Sequence, residues 1–225
     1  MIPKIIHYCW FGGNPIPELE QKCINSWKKY CPDYEIKEWN ESNFDFSCCA
    51  YANEAYKAKK WAFVADYVRL KVMIEYGGIY MDTDVEVLKP LDVFLKDKAF
   101  LGFEEEEYVA TSIMGCEKDF ALFEAFLKRY DERHFFKQDG RYDVTSNVEE
   151  ITNYLLKYGL VLNNKQQTIA GLTLYPKDFF SPKNHKTRKI ESTDNTYTIH
   201  HFAGSWLTPS HWKKFKAKFC TLFRI

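Results

Sequence analysis

The chain has 225 residues, with 31 lysines and arginines against 31 aspartates and glutamates, and is 46% hydrophobic and 17% aromatic. That length and apolar content are enough for one sizeable core, and formal neutrality excludes a protein that grips nucleic acid through a surplus of positive charge. No apolar run approaches the roughly 20 residues that span a bilayer, and the start, Met1-Ile2-Pro3-Lys4-Ile5-Ile6, has no secretory cleavage pattern, so a cytoplasmic location is expected.

Residues 2–10 read as a buried strand stopped by Gly12-Gly13, followed by a helix over 17–30 and a second strand over 34–39 that alternates apolar and charged side chains. Strand, helix, strand predicts an α/β layered domain with parallel strands. Further on, Phe63, Tyr67, Leu70 and Ile74 form one helical stripe and Ala62, Asp66, Arg69 and Met73 the next, placing Asp66 and Arg69 at the border of a buried face. Gly77-Gly78 ends that helix, and Ile79-Tyr80-Met81 begins a strand running into Asp82-Thr83-Asp84. Asp82 and Asp84, two apart, would share one side of an extended chain.

After Pro90 the pattern gives a strand over 99–103, an acidic run over 104–107 read as a solvated loop, and a helix over 119–130. Residues 131–147 are poorly periodic; a helix over 148–158 and a strand over 168–175 follow. No repeat or linker divides 1–208. Residues 209–225 form a separate basic segment, with Trp212, Phe215, Phe219, Leu222 and Phe223 on one helical face and Lys213, Lys214 and Lys218 on the other. This helix could meet anionic lipid at the inner face of the cell membrane, or pack its aromatics on the domain. Seven cysteines with no CxxC pair are expected to be reduced and mostly packing residues.

A carboxylate pair at a strand end repels itself unless a cation offsets the charge, which makes Asp82-x-Asp84 a candidate site for Mn2+ or Mg2+. The motif is short, and a polar turn would also carry it. Late in the chain, His200-His201-Phe202-Ala203-Gly204-Ser205-Trp206 offers an imidazole that can complete a carboxylate-rich cation site and a glycine that lets backbone approach phosphate. The alternative is a strand end with one hydrogen-bonded histidine. At the other end, Tyr8 and Trp10 lie at a strand exit beside permissive glycines, where a ring can stack on a base. For His7, core packing is the preferred reading.

Taken together, these motifs resemble glycosyltransferase family 32, small bacterial capsular polysaccharide transferases with a GT-A type fold. The resemblance rests on Ile5-Ile6-His7-Tyr8-Cys9-Trp10-Phe11-Gly12-Gly13, Asp66-x-x-Arg69, Gly77-Gly78-Ile79-Tyr80-Met81-Asp82-Thr83-Asp84 and His201-Phe202-Ala203-Gly204-Ser205-Trp206. The glucosylating domains of large clostridial toxins are similar through the first three. The resemblance implies a Rossmann-like mixed sheet flanked by helices, and a metal-dependent, configuration-retaining transfer from a nucleoside diphosphate sugar. A UDP-hexose or UDP-N-acetylhexosamine leads as donor; GDP-mannose, used by fungal relatives, stays open. The acceptor would be a hydroxyl of a glycan or lipid-linked oligosaccharide in capsular or other surface glycan synthesis.

By the same resemblance, Trp10 stacks on the nucleotide base with Tyr8 as a further donor-binding residue, and Asp66 and Arg69 hold the donor sugar hydroxyls and diphosphate. Tyr80 supports the pocket, and Asp82 reaches ribose and sugar. Asp84 and His201 bind the cation, Trp206 donates to phosphate and Ser205 is a further donor contact; Asn147, outside the stretch that carries the resemblance, is read as a sugar contact. Where the toxins place an acid and a serine two before the tryptophan, this chain has His201 and Gly204, with Ser205 displaced by one. Two other readings are a non-catalytic nucleotide-sugar binding module and a haloacid-dehalogenase type phosphatase. The phosphatase needs a small hydroxyl residue where this chain has Glu86.

Overall fold

The computed structural model describes residues 1–105 and 107–204. Ser205, Trp206 and the basic segment 209–225 lie outside the described residues. In chain order the elements are β1 (Ile5–Cys9), α1 (Glu18–Tyr30), β2 (Glu35–Trp39), α2 (Ala50–Lys57), α3 (Trp61–Tyr76), β3 (Gly78–Met81) and β4 (Val85–Val87). They continue with β5 (Ala99–Glu105), β6 (Tyr108–Cys116), α4 (Ala121–Leu127), α5 (Asn147–Leu156), β7 (Gln167–Ile169), β8 (Leu172–Tyr175), α6 (Lys177–Phe180) and β9 (Thr198–His200).

Seven strands form one mixed sheet in the order β2-β1-β3-β6-β5-β8-β7, and β4 pairs with β9 in a separate two-stranded ribbon. β1 runs parallel to both β2 and β3, whereas β6 is antiparallel to β3 and β5. β1, β3 and β5 therefore point the same way, and their carboxyl ends share one edge of the sheet. That edge is where open α/β sheets place ligands.

Side-chain alternation along the strands separates two cores. Tyr80, Ala99, Leu101 and Phe103 face a cluster with α2, α3, α4 and α5, while Ile79, Met81 and Phe100 face α1, β4 and α6. α3 is buried almost all round, from Val64 to Ile74, because it lies between the sheet and the helices α2 and α4. Gly77 closes it with φ +67°, and Gly78 follows at φ +109°, where an added Cβ would lie 2.7 Å from the Ile5 carbonyl oxygen. Only glycine fits this turn from α3 directly into β3.

Several expectations change. The stretch 82–84 is a turn rather than a continued strand: the Val85 amide donates to the Asp82 carbonyl at 3.0 Å. The acidic run starts in a strand rather than a loop: Glu104 and Glu105 belong to β5. β6 had no sequence signal because it is buried on both faces and carries Thr111, Ser112 and Gly115 among its apolar residues. The expected strand over 168–175 is two strands, β7 and β8, folded antiparallel about Ala170-Gly171.

His7 is a core residue. Its Nδ1 accepts from Trp39 Nε1 at 3.1 Å, so its Nε2 carries the hydrogen and donates to the Gly77 carbonyl at 2.8 Å. That neutral tautomer is fully satisfied, and burial, opposed by the Gly77 carbonyl and assisted by Lys37, pulls the imidazole down to about 4. Because the unfolded chain protonates first, this stabilisation is complete above about pH 6.5 and is lost as pH falls toward 4. Relative to pH 8, the His7 contribution at pH 5 should be smaller by about 2 kcal/mol. Urea unfolding of the unaltered chain and of His7→Asn at both pH values isolates it. Equal pH dependence in the two proteins would contradict the assignment.

Candidate active site

The site is built on the sheet edge where β3 ends, and one cation organises it. Arg69, on α3, is 7% exposed in its side chain. It donates from Nη1 to the Thr111 carbonyl at 2.7 Å, and from Nη2 to Asp66 at 3.0 Å with Asp82 at 3.4 Å. Its guanidinium lies 4.7 Å from the centre of the Tyr80 ring, and the Tyr80 hydroxyl donates to Asp82 at 3.0 Å. Asp66, Arg69, Tyr80 and Asp82 thus form one hydrogen-bonded unit. Burial alone would lower the Arg69 pKa, but Asp82, Tyr80 and Asp66 raise it above its ordinary value. Asp66 is pushed up to about 6, by burial first and by repulsion from Asp82, with Arg69 opposing. Asp82 is raised as well, by burial and by Asp84, again against Arg69.

Asp84 sits on the far side of the turn from Asp82. Its backbone carbonyl accepts from the His201 amide at 3.0 Å, and its carboxylate accepts from the Ala203 amide at 2.7 Å. The β4–β9 ribbon brings the late segment here, with Val85 opposite His200. α1 fixes the ribbon in turn: Trp27 Nε1 donates to the Val85 carbonyl at 2.7 Å, and the Val87 amide donates to Ser26 Oγ at 2.8 Å.

The imidazole that joins the aspartates is His200 rather than His201. Ligand atoms of Asp82, Asp84 and His200 all lie within 4.8 Å of one another, and His200 Nε2 is 3.5 Å from Asp84. His201 faces the other way and contacts Glu86 at 2.8 Å, where Lys22 also reaches the same carboxylate at 2.9 Å. Neighbouring residues on extended backbone project to opposite sides, so only one of two consecutive histidines can meet the turn. Burial pulls His200 down, but Asp84 and Glu104 overcome it and leave the ring raised to about 9. Phe202, in the left-handed region at φ +53°, packs its ring against that of His200, the two centres 4.0 Å apart and the planes tilted by 39°.

The remaining expected residues separate. Tyr8 is mostly buried, its hydroxyl donating to Glu38 at 2.6 Å and its ring packed edge-on against Trp27, and it lines a surface cavity with Ile16, Gln21 and Ile24. Trp10 is half-buried just past β1, with Nε1 donating to the Asn14 carbonyl at 2.6 Å. Asn147 is tied to the site through Thr111, whose hydroxyl donates to Asn147 Oδ1 at 3.1 Å. Cys9, missed as a site neighbour, lies under Arg69, Tyr80 and Asp82, and burial raises its thiol pKa.

Two carboxylates and one imidazole in a small, mostly buried space suit a divalent cation such as Mn2+, which takes both oxygen and nitrogen ligands. Residues 17–101 match a family model, glycosyltransferase sugar-binding region containing DXD motif. The matched stretch contains Asp82-Thr83-Asp84 and ends within β5.

Among similar proteins, inositol phosphoceramide mannosyltransferase 1 of Schizosaccharomyces pombe is 26% identical over 203 residues, 80% of this chain and 60% of that protein. Mannosyl phosphorylinositol ceramide synthase CSH1 of Saccharomyces cerevisiae is 32% identical over 127 residues, 51% of this chain and 31% of that one. The chain thus spans between about a third and three fifths of these relatives' length. Among solved structures, the PaToxG glycosyltransferase superposes with a TM-score of 0.51 at 19% identity, covering 69% of this chain and 68% of that one. The mixed sheet with flanking helices is a GT-A type glycosyltransferase fold.

The buried Arg69 makes a stability prediction. Arg69→Met would leave Asp66 and Asp82 facing each other without a cation, and should cost about 3 kcal/mol in urea unfolding at neutral pH. A loss below about 1 kcal/mol would mean that the carboxylates do not depend on it.

Proposed function

We propose that this chain transfers a hexose from a nucleoside diphosphate sugar to an acceptor hydroxyl, aided by a divalent cation held by Asp82, Asp84 and His200. The reading rests on one observation above the others: these three side chains converge at the carboxyl end of β3 beside an arginine already committed to two aspartates. A DXD region at that place is consistent with the resemblance to glycosyltransferase family 32.

When bound, the cation would act as a Lewis acid, offsetting the charge that develops on the departing diphosphate. The chain's own residues prepare for that step. Arg69 and Tyr80 fix the Asp82 carboxylate, and the Ala203 amide fixes Asp84, so neither needs to reorganise as charge moves. With its guanidinium occupied by Asp66, Asp82 and Thr111, Arg69 acts by holding these acids rather than by gripping phosphate. Asp66, beside Asp82, would accept hydrogen bonds from donor sugar hydroxyls, and the half-buried Trp10, just past β1, would stack on the base.

Retention of configuration fits a same-face displacement in which the leaving phosphate helps deprotonate the acceptor. Asp66 and Asp82 are held by Arg69, and Asp84 is engaged by a backbone amide, so none stands out as a covalent nucleophile.

The relatives' names favour mannose as the first sugar to test, and a hydroxyl on a lipid-linked phosphoinositol acceptor over a capsular glycan. A cytoplasmic enzyme meeting such an acceptor at the membrane face agrees with the basic segment 209–225, and among the described residues no helix is long and apolar enough to cross a membrane.

A screen of GDP-mannose and UDP-sugars for slow, acceptor-free hydrolysis tests the proposal. At least one donor should be cleaved with Mn2+ and not in chelator, and Asp84→Asn should lower that rate by about 100-fold or more. Unchanged hydrolysis by Asp84→Asn, or equal rates in chelator, would refute it.

A further inference from the structure

The acidic run contributes a residue that the DXD region does not account for. Between Phe103 and Glu105 the β5–β6 register slips by one: Phe103 pairs with Val109 and Glu105 with Tyr108, which leaves Glu104 as the unpaired extra residue of a β-bulge. A bulge gives up ladder pairing locally and re-aims one side chain, and such features concentrate beside functional sites. Here the unpaired residue carries a carboxylate only 17% exposed, in a run of four glutamates that sequence alone reads as solvated.

Glu104 Oε1 lies 3.2 Å from His200 Nδ1, while His200 Nε2, the opposite corner of the ring, lies 3.5 Å from Asp84. A carboxylate can only accept, so Nδ1 must carry a proton. Nε2, the nitrogen that faces the aspartates, is then the one that can give up its proton and offer a lone pair to a cation. Phe202 covers the ring, so the imidazole is held at one nitrogen by Glu104 and across its face by an aromatic.

We infer that Glu104 is a positioning residue, fixing the tautomer and orientation of His200 so that Nε2 completes the cation site with Asp82 and Asp84. This deepens the cation reading above and depends on it. Carboxylate, imidazole and cation in line is a recurrent arrangement in which the outer acid raises the basicity of the ring and removes its rotational freedom. Glu104 does not itself join the group of convergent ligands, so its effect is transmitted through the histidine.

The test is Mn2+ affinity of the full chain without nucleotide, read from the electron paramagnetic resonance signal of free Mn2+, with circular dichroism confirming that each variant is folded. Glu104→Gln, which keeps size and removes charge, should weaken binding roughly 10- to 100-fold. In a His200→Asp background, where a carboxylate replaces the ring and there is no Nδ1 to hold, Glu104→Gln should change affinity by no more than about twofold. Unaltered affinity in Glu104→Gln would overturn the inference. So would an equal loss in both backgrounds, which would make Glu104 an independent charge or a ligand in its own right. Asp84→Asn separates the two levels: if it binds Mn2+ as tightly as the unaltered chain, or if the unaltered chain binds none, the cation reading itself fails, whatever Glu104 does.

Discussion

The arrangement depends on a guanidinium buried among carboxylates. Asp66 and Asp82 come from different elements, α3 and the turn after β3, and would repel each other in a mostly dry environment. Arg69 reaches both, and its third anchor, the Thr111 carbonyl on β6, ties the trio to the centre of the sheet. With these charges fixed, the turn can present Asp82 and Asp84 toward a late imidazole, and the β4–β9 ribbon delivers it. The same interaction explains why α3 must stop at Gly77 and enter β3 without a linker: any slack there would separate Arg69 from Asp82.

The site is richer in acid than the DXD motif implies. Asp66, Asp82, Asp84 and Glu104 meet Arg69 and His200, and burial raises both Asp66 and Asp82 above ordinary aspartates. A divalent cation would stabilise a group so arranged, which is the physical case for the proposed metal-assisted chemistry over proton transfer by a lone carboxylate. The GT-A type fold supplies the place, and side chains supply the chemistry.

The sequence carried much of this and missed the rest for identifiable reasons. Helical periodicity located Asp66 and Arg69 on one face, and Gly77-Gly78 marked the turn into β3, because local geometry demands these residue types. Choosing between His200 and His201 required the register of β9 on β4, a pairing between residues more than a hundred positions apart that no local pattern encodes. β6, buried on both faces and mixed in polarity, lacked the alternation that identifies a half-buried strand. Glu104 looked solvated because it opens a run of glutamates, and its contact with His200 joins residues 96 positions apart. Tyr8 belonged to a motif correctly placed at the β1 exit, yet alternation puts its ring inside the core against Trp27.

The central claim is that the two aspartates after β3 and the first of the paired histidines surround one cation. Crystals grown with Mn2+ and measured at the manganese absorption edge would locate it directly. The account predicts a single anomalous peak bounded by Asp82, Asp84 and His200; a peak beside Glu86 and His201, or none on this edge of the sheet, would contradict it.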